Sequence, residues 1–258
     1  MIKVAVIAAV TFKEAIRQKL AVNLLVFALA LVSGSYLISM LTFGEQYRII
    51  VDLGLSAMEI FGTLIAAFLG AGLIAGDVER RTVYPIVAKP VSRAEYVAGR
   101  YAGLVTTTTL NLAVMALFFV GVLAFYLHGF GFVRETPLLA TLAALALQFA
   151  MIAAVAVLFS TFTTATLSAI FTLSLVVAGH LASDLVRYWE KQGAAAAWMG
   201  KVLYALVPNL EALNFKEAMV YKDALSASTL ALAFGYGLLY TVAMVALSAA
   251  VFGKRDLR

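Results

Sequence analysis

Long apolar stretches alternate with short polar segments along this chain. Each of the six stretches is 19 to 26 residues long, and together they contain a single charged residue, Glu59. About 20 helical residues cross the hydrocarbon core of a bilayer, and a helix satisfies its own backbone hydrogen bonds in lipid. We therefore predict an all-α, polytopic membrane protein whose six transmembrane helices cover residues 20–43, 53–75, 102–127, 138–159, 165–183 and 230–252.

The composition agrees with a single membrane domain. Hydrophobic residues make up 64% of the chain and charged residues 13%, whereas soluble domains have about 25% charged residues. The apolar stretches leave little chain for a second domain, so residues 1–258 are predicted as one transmembrane domain. Cysteine is absent, which excludes thiolate catalysis and thiolate metal sites. No segment has the G-x-x-x-x-G-K-S/T pattern of a phosphate-binding loop, so ATP-driven work would need another subunit.

Basic residues are concentrated in three polar segments. Residues 1–19, residues 77–100 and the tail after 252 hold 12 of the 19 Lys and Arg residues. Because basic segments stay on the cytoplasmic side, we predict that both termini are cytoplasmic. The net charge of +5 then indicates a rim attracted to anionic lipid, and not a nucleic-acid surface. Residues 1–19 mix apolar and basic positions, which predicts an amphipathic helix in the interface.

The segment 77–100, between the second and third apolar stretches, has several helix start and stop signals. Thr82 suits an N-cap, and Pro85 suits the first helical turn. The residue before Pro90 avoids the helical conformation, so a short helix is predicted over 83–88. This pattern fits either a rigid transverse helix or an ordinary basic loop.

A second signal starts the third transmembrane helix. Ser92 and Glu95 have the S-x-x-E spacing of a capping box, in which each side chain bonds the other residue's backbone N–H. The segment also places an acidic-basic cluster, a Thr, an apolar turn, a Pro-small-Arg group and a Gly-basic pair in this order. These elements are Glu79-Arg80-Arg81-Thr82, Ile86-Val87, Pro90-Val91-Ser92-Arg93 and Gly99-Arg100.

This order resembles the cytoplasmic link of ABC-2-type ABC transporter permeases, and the resemblance extends over essentially the whole chain. It is closest to the branch associated with multicopper-enzyme and nitrous-oxide-reductase maturation. Arg81 departs from the pattern, since the family often has Gly before the Thr. The resemblance implies that segment 77–100 is a coupling segment, which docks on a cytoplasmic ATP-binding subunit. The residues implied in docking are Glu79, Arg80, Arg81, Thr82, Ile86, Pro90, Ser92 and Arg93.

The same resemblance implies a setting for the chain. We expect a permease without catalytic activity or cofactor of its own, with ATP and Mg²⁺ bound on two copies of the partner subunit. A second permease protomer, identical or different, would complete the complex in a bacterial or archaeal cytoplasmic (inner) membrane. The long loop 184–229, with five acidic and five basic residues, would form interfacial or re-entrant helices outside, with room for an extracytoplasmic partner. The polar turn 160–164 is either a second cytoplasmic contact or a simple tight turn.

Three side chains are candidates for an outer-mouth or substrate site. Glu59 is ionisable within an apolar helix, which marks a functional candidate, although it could instead pair with another helix or reach the interface. His180 and Asp184 lie four residues apart on one helix face; they could contact cargo or bond each other. Without cysteine or a histidine cluster, no metal site is predicted.

Small residues along the second apolar stretch predict close helix packing: Gly62, Ala66, Gly70, Gly72 and Gly76. Gly72 and Gly76 have the G-x-x-x-G spacing. The packing would lie inside the protomer or at a two-fold interface, and contact with cargo is the alternative. Two further classes of protein remain as alternatives. A stand-alone channel or secondary transporter should show broken helices in repeated halves, and an intramembrane enzyme needs a nucleophile and base at bilayer depth; neither pattern is visible.

Overall fold

The structure is a computed structural model that describes residues 2–41, 44–79, 91–190 and 207–254. For residues 2 and 182–190 it describes the backbone but not the side chains. Every regular element in these ranges is helical. The α-helices are α1 (Ile2–Ile16), α2 (Lys19–Ser39), α3 (Gln46–Glu79), α4 (Arg93–Leu127), α5 (Phe132–Glu135), α6 (Leu138–Ser160), α7 (Ala165–Glu190), α8 (Lys216–Tyr221) and α9 (Ala227–Lys254), and a 3₁₀ turn covers Glu211–Leu213.

The long helices coincide with the predicted apolar stretches, although α2 ends at Ser39, before the predicted residue 43. Five of them, α2, α3, α4, α6 and α9, are long and apolar enough to cross a membrane. The fifth predicted stretch lies in α7, whose described apolar part is Ala165–Leu181. The prediction of an all-α, multi-pass membrane protein is confirmed. Helices α3 and α4 begin well before residues 53 and 102, because backbone hydrogen bonding continues past the point where the apolar composition ends.

The capping box at the start of α4 is confirmed. The Ser92 hydroxyl accepts a hydrogen bond from the backbone N–H of Glu95 at 3.1 Å. The Glu95 carboxylate in turn accepts one from the backbone N–H of Ser92 at 2.8 Å. Two N–H groups without a partner inside the helix are therefore satisfied. The short helix predicted over 83–88 lies outside the described residues.

Helices α3 and α6 form the centre of the bundle. In their most apolar windows 67% and 72% of the residues are buried, against 22% in α2 and α4 and 17% in α9. Helix α3 packs against α2, α4, α6 and α7, and α6 also packs against α9. The outer helices direct large apolar side chains such as Phe27, Leu117 and Leu239 away from the protein, as expected where lipid is the solvent.

Two glycines of α3 allow close helix packing, but not the pair with the G-x-x-x-G spacing. A Cβ on Gly62 would meet the Phe149 ring at 2.0 Å, and a Cβ on Gly70 would meet the Ala156 Cβ at 2.6 Å. A Cβ on Gly72 or Gly76 would meet nothing within 4 Å in the part of the chain that the structure describes. Packing against the described residues therefore does not explain this pair, and packing at a two-fold interface or contact with cargo stays a prediction.

The N-terminal helix α1, predicted as amphipathic, packs on the first part of α4. A Cβ on Gly99 would meet the Ile7 side chain at 2.7 Å, and one on Gly103 would meet the Ala8 carbonyl oxygen at 2.5 Å. On the other side, Val6 and Val10 are exposed. Helix α1 therefore has one face fixed to the bundle and an apolar face available to the membrane interface.

Replacement of Gly103 by alanine tests this contact. We expect Gly103→Ala to lower the midpoint of thermal unfolding in detergent, because its new methyl group overlaps a backbone carbonyl that no side-chain rotation can move. The matched control is Gly121→Ala in the same helix, where a Cβ meets nothing within 4 Å. The control should unfold at the same or a higher temperature, since alanine favours a helix over glycine by about 1 kcal/mol. Equal effects of the two replacements would contradict the packing of α1 on α4.

Candidate functional sites

A buried arginine joins three helices at the C-terminal end of α3. Arg100 is 6% exposed, and its guanidinium donates to the Glu14 carboxylate of α1 at 2.7 Å and to the Asp77 carboxylate of α3. The Tyr96 hydroxyl also donates to Asp77. A buried charge is tolerated when it is paired and hydrogen-bonded. This network therefore fixes α1, α3 and α4 relative to each other at both ends of the coupling segment.

Arg93, predicted to dock on an ATP-binding subunit, binds the end of α9 in this structure. One guanidinium nitrogen donates to the carbonyl oxygens of Phe252 and Gly253 at 3.2 and 2.9 Å. A cation is favourable at a helix C-terminus, where carbonyl groups lack partners. Glu79 ends α3 with an exposed side chain, and Ser92 caps α4.

The other residues predicted to dock lie outside the described residues: Arg80, Arg81, Thr82, Ile86 and Pro90. The docking role of the coupling segment therefore stays a prediction. The structure gives the position of the two ends of this segment. Helix α3 leads directly into it, and Arg93, at the start of α4, binds the end of α9.

Ser160, at the end of α6, makes three hydrogen bonds to the backbone of α3. Its hydroxyl donates to the Ala71 carbonyl at 2.8 Å and accepts from the N–H groups of Ile74 and Ala75 at 3.0 and 2.8 Å. The polar turn that follows is hydrogen-bonded internally, with the Thr163 N–H donating to the Phe159 carbonyl at 3.0 Å. These residues therefore form a tight turn that fixes α6 to α3, and a further contact with a partner stays a prediction.

A second polar cluster surrounds Glu59, the one charged residue of the apolar stretches. Glu59 is 6% exposed, and its carboxylate accepts from the Gln148 amide of α6 at 2.9 Å and from the Lys216 ammonium of α8 at 2.5 Å. The sequence left open whether Glu59 pairs with another helix or reaches the interface. In the structure it is paired, with Gln148 and Lys216. Paired and hydrogen-bonded, this carboxylate can remain charged in an apolar helix.

His180 belongs to the same cluster. Its Nε2 lies 3.7 Å from a Glu59 carboxylate oxygen, and its Nδ1 lies 3.9 Å from a carboxylate oxygen of Glu211 in the 3₁₀ turn. The side chain of Asp184 is outside the described residues, so its predicted relation to His180 stays untested. The structure thus brings Glu59 and His180 together, with three residues that the sequence did not single out: Gln148, Lys216 and Glu211.

Further contacts hold residues 207–226, which we call the α7–α9 connection, against the bundle. The Tyr47 hydroxyl of α3 donates to the Met219 carbonyl at 3.2 Å. The Tyr236 hydroxyl of α9 accepts from the backbone N–H of Asn209 at 2.8 Å. Together with the Lys216–Glu59 pair, these bonds attach the connection to the N-terminal half of α3 and to α9.

The two buried carboxylates of α3 share one face of the helix. Glu59 and Asp77 are 18 residues apart, which corresponds to five turns and about 27 Å at 1.5 Å per residue. Each carboxylate binds a cation from another element. Helix α3 therefore connects the α7–α9 connection with the network around Arg100 as one continuous element.

Long apolar helices with polar clusters towards the two ends of α3 define a multi-pass membrane protein. Comparison with known protein families identifies its family: the family model described as ABC-2 family transporter protein matches residues 5–257. The chain therefore belongs to the ABC-2 family and is a permease of an ABC transporter, a membrane transport component, as the resemblance implied. This family associates with cytoplasmic ATP-binding subunits and forms dimers. No curated protein matches the chain.

A double-mutant cycle tests the buried pair. Lys216→Met should lower the stability in detergent because it leaves the buried Glu59 carboxylate without its cation. Glu59→Gln should lower it too, because the partly buried Lys216 ammonium loses its carboxylate. The double variant should be more stable than the sum of the two losses predicts, with a coupling energy of about 1–3 kcal/mol. The exposed pair Lys222 and Glu135, 3.9 Å apart, serves as the control and should couple by less than about 1 kcal/mol. Additive losses at Glu59 and Lys216 would contradict the pairing.

Proposed function

We propose that this chain is the transmembrane subunit that couples ATP hydrolysis on a separate cytoplasmic ATP-binding subunit to export or to conformational signalling across the membrane. Family membership supports a role in an ABC transporter. The sequence contains no phosphate-binding loop, so ATP and Mg²⁺ would be bound by the partner. Two ATP-binding subunits and a second permease protomer, identical or different, would complete the assembly.

The observation that carries the proposal is the course of α3. The helix runs without interruption from Gln46 to Glu79, so it joins the Glu59 cluster to the first residues of the coupling segment. A rigid helix transmits a displacement along its axis that a flexible loop would absorb. Movement of the coupling segment by the ATP-binding subunit would therefore reach Glu59 and, through Lys216, the α7–α9 connection.

We also propose the orientation that the basic residues favour, with both termini in the cytoplasm of a bacterial or archaeal cell. The coupling segment is then cytoplasmic, and the α7–α9 connection is outside, where it could meet cargo or an extracytoplasmic partner protein. The match to the ABC-2 family counts against a stand-alone channel, a secondary transporter or an intramembrane enzyme.

Charge reversal in the coupling segment tests the docking. We expect Arg80→Glu or Arg81→Glu to reduce recovery of the ATP-binding subunit with the tagged chain by about tenfold, since a hydrogen bond to a charged group contributes about 1.5–3 kcal/mol. The recovered subunit is identified by mass spectrometry through its phosphate-binding loop. The control is Arg48→Glu near the opposite end of α3, an exposed arginine that contacts Glu45 at 3.3 Å and lies over the Tyr221 ring.

The amount of chain in the membrane should be the same for all variants, and the control should recover the subunit normally. Unchanged recovery and ATPase activity in both coupling-segment variants would contradict the docking role. ATP hydrolysis by the purified chain alone would contradict the division of labour between the subunits.

A further inference from the structure

A cleft of about 320 Å³ lies between α3 and α7, beside the buried carboxylate of Glu59. Its size is at the lower end of the range for small-molecule sites, about 300–1,000 Å³. Polar side chains on one part of its wall adjoin apolar ones on the rest. The residues that line it are Glu59, Ile60, Thr63, Leu64, Val176 and His180. A ligand that fits this wall has one polar group and an apolar body.

The polar part of the site has more hydrogen-bond acceptors than donors. The Glu59 carboxylate receives two hydrogen bonds, and a carboxylate can accept about four. The Thr63 hydroxyl lies on the cleft wall, is 7% exposed and has no hydrogen-bond partner among the residues that the structure describes. Buried polar atoms without a partner are rare and call for an explanation. A ligand with several N–H groups would supply the missing donors.

The charges in the cluster favour a cation. Glu59 and Glu211 contribute two carboxylates, and Lys216 contributes one ammonium group that already binds Glu59. Neither nitrogen of His180 lies within hydrogen-bond distance of these carboxylates, since the distances are 3.7 and 3.9 Å. Among the described residues that line the cleft, Glu59 supplies the one carboxylate. It is 6% exposed, so a positively charged ligand against it would be attracted more strongly than at a solvated surface.

We propose that this cleft binds an amphipathic amine. The ammonium group lies against Glu59 and Thr63, and the apolar body packs on Ile60, Leu64 and Val176. The role of such an amine as cargo rests on the proposed transport function. Binding itself does not, and it can be measured with the chain alone.

The test uses 1-naphthylmethylamine, a fluorescent amine of suitable size, and 1-naphthalenemethanol as its uncharged analogue. The full chain is placed in nanodiscs of zwitterionic lipid at pH 8, where an ordinary imidazole is neutral, and binding to empty nanodiscs is subtracted. We expect the amine to bind about tenfold more tightly than the alcohol, because a hydrogen bond to a charged group is stronger than a neutral one. Equal affinities, or no binding above that of empty nanodiscs, would overturn the proposal.

Two replacements with a matched control locate the site. Thr63→Val keeps the side-chain shape and removes the hydroxyl, and it should weaken amine binding about fivefold. Thr241→Val on α9 is the control, since its hydroxyl also lacks a partner but does not line the cleft; it should leave binding unchanged. Lys216→Met removes the competing ammonium and should tighten amine binding. Equal effects of Thr63→Val and Thr241→Val, or weaker binding in Lys216→Met, would overturn the site.

Discussion

A carboxylate buried in an apolar helix must be paired, and α3 carries two of them. Glu59 and Asp77 are 6% and 7% exposed, and each binds a cation from a different element, Lys216 and Arg100. Desolvation makes such a pair expensive to form, and removal of one partner typically costs about 3–5 kcal/mol. The two carboxylates therefore bind the elements that sit against the N-terminal half and the C-terminal end of α3. The rest of the bundle is arranged around this helix.

The arrangement bears directly on how a permease of the ABC-2 family could work. Between the two ion pairs, α3 packs closely on α6 through Gly62 and Gly70. The Ser160 hydroxyl adds three hydrogen bonds to the α3 backbone just before Asp77. An element held in this way moves as a unit or together with its neighbours, which suits the transmission of movement from the coupling segment to the α7–α9 connection.

Much of the fold could be predicted from the sequence, for identifiable physical reasons. Hydropathy located the apolar helices, because lipid requires long apolar helices, and the Ser92 capping box predicted the start of α4, because a cap is a local interaction. Helix α3 begins at Gln46, before the apolar stretch that starts at residue 53, since helical hydrogen bonding continues past the apolar composition. Of the small residues predicted to pack, Gly62 and Gly70 meet α6, whereas the G-x-x-x-G pair Gly72 and Gly76 does not. The spacing alone could not tell them apart, because which face of α3 meets α6 depends on the whole bundle.

The candidate site was predictable only in part. Glu59 stood out as the one charge in the apolar stretches. Its partner Lys216 lies 157 residues away, in a segment whose sequence has weaker helix signals than the apolar stretches. Gln148, the one amide in α6, could have been recognised by the same reasoning that identified Glu59. Arg93 had a predicted docking role, and its contact with the carbonyl groups of α9 depends on how α4 and α9 meet. Which side chains meet across the bundle depends on how the helices pack, and local sequence patterns do not predict that packing.

The orientation of the bundle is the claim on which the coupling segment and the α7–α9 connection both depend, and thiol labelling measures it most directly. The chain has no cysteine, so single cysteines can be introduced at Glu217 in α8 and at Arg17 after α1, both exposed. Our account predicts that a membrane-impermeant thiol reagent labels position 217 in intact cells and position 17 only after the membrane is opened. Labelling of position 17 in intact cells, with position 217 protected until the membrane is opened, would contradict it.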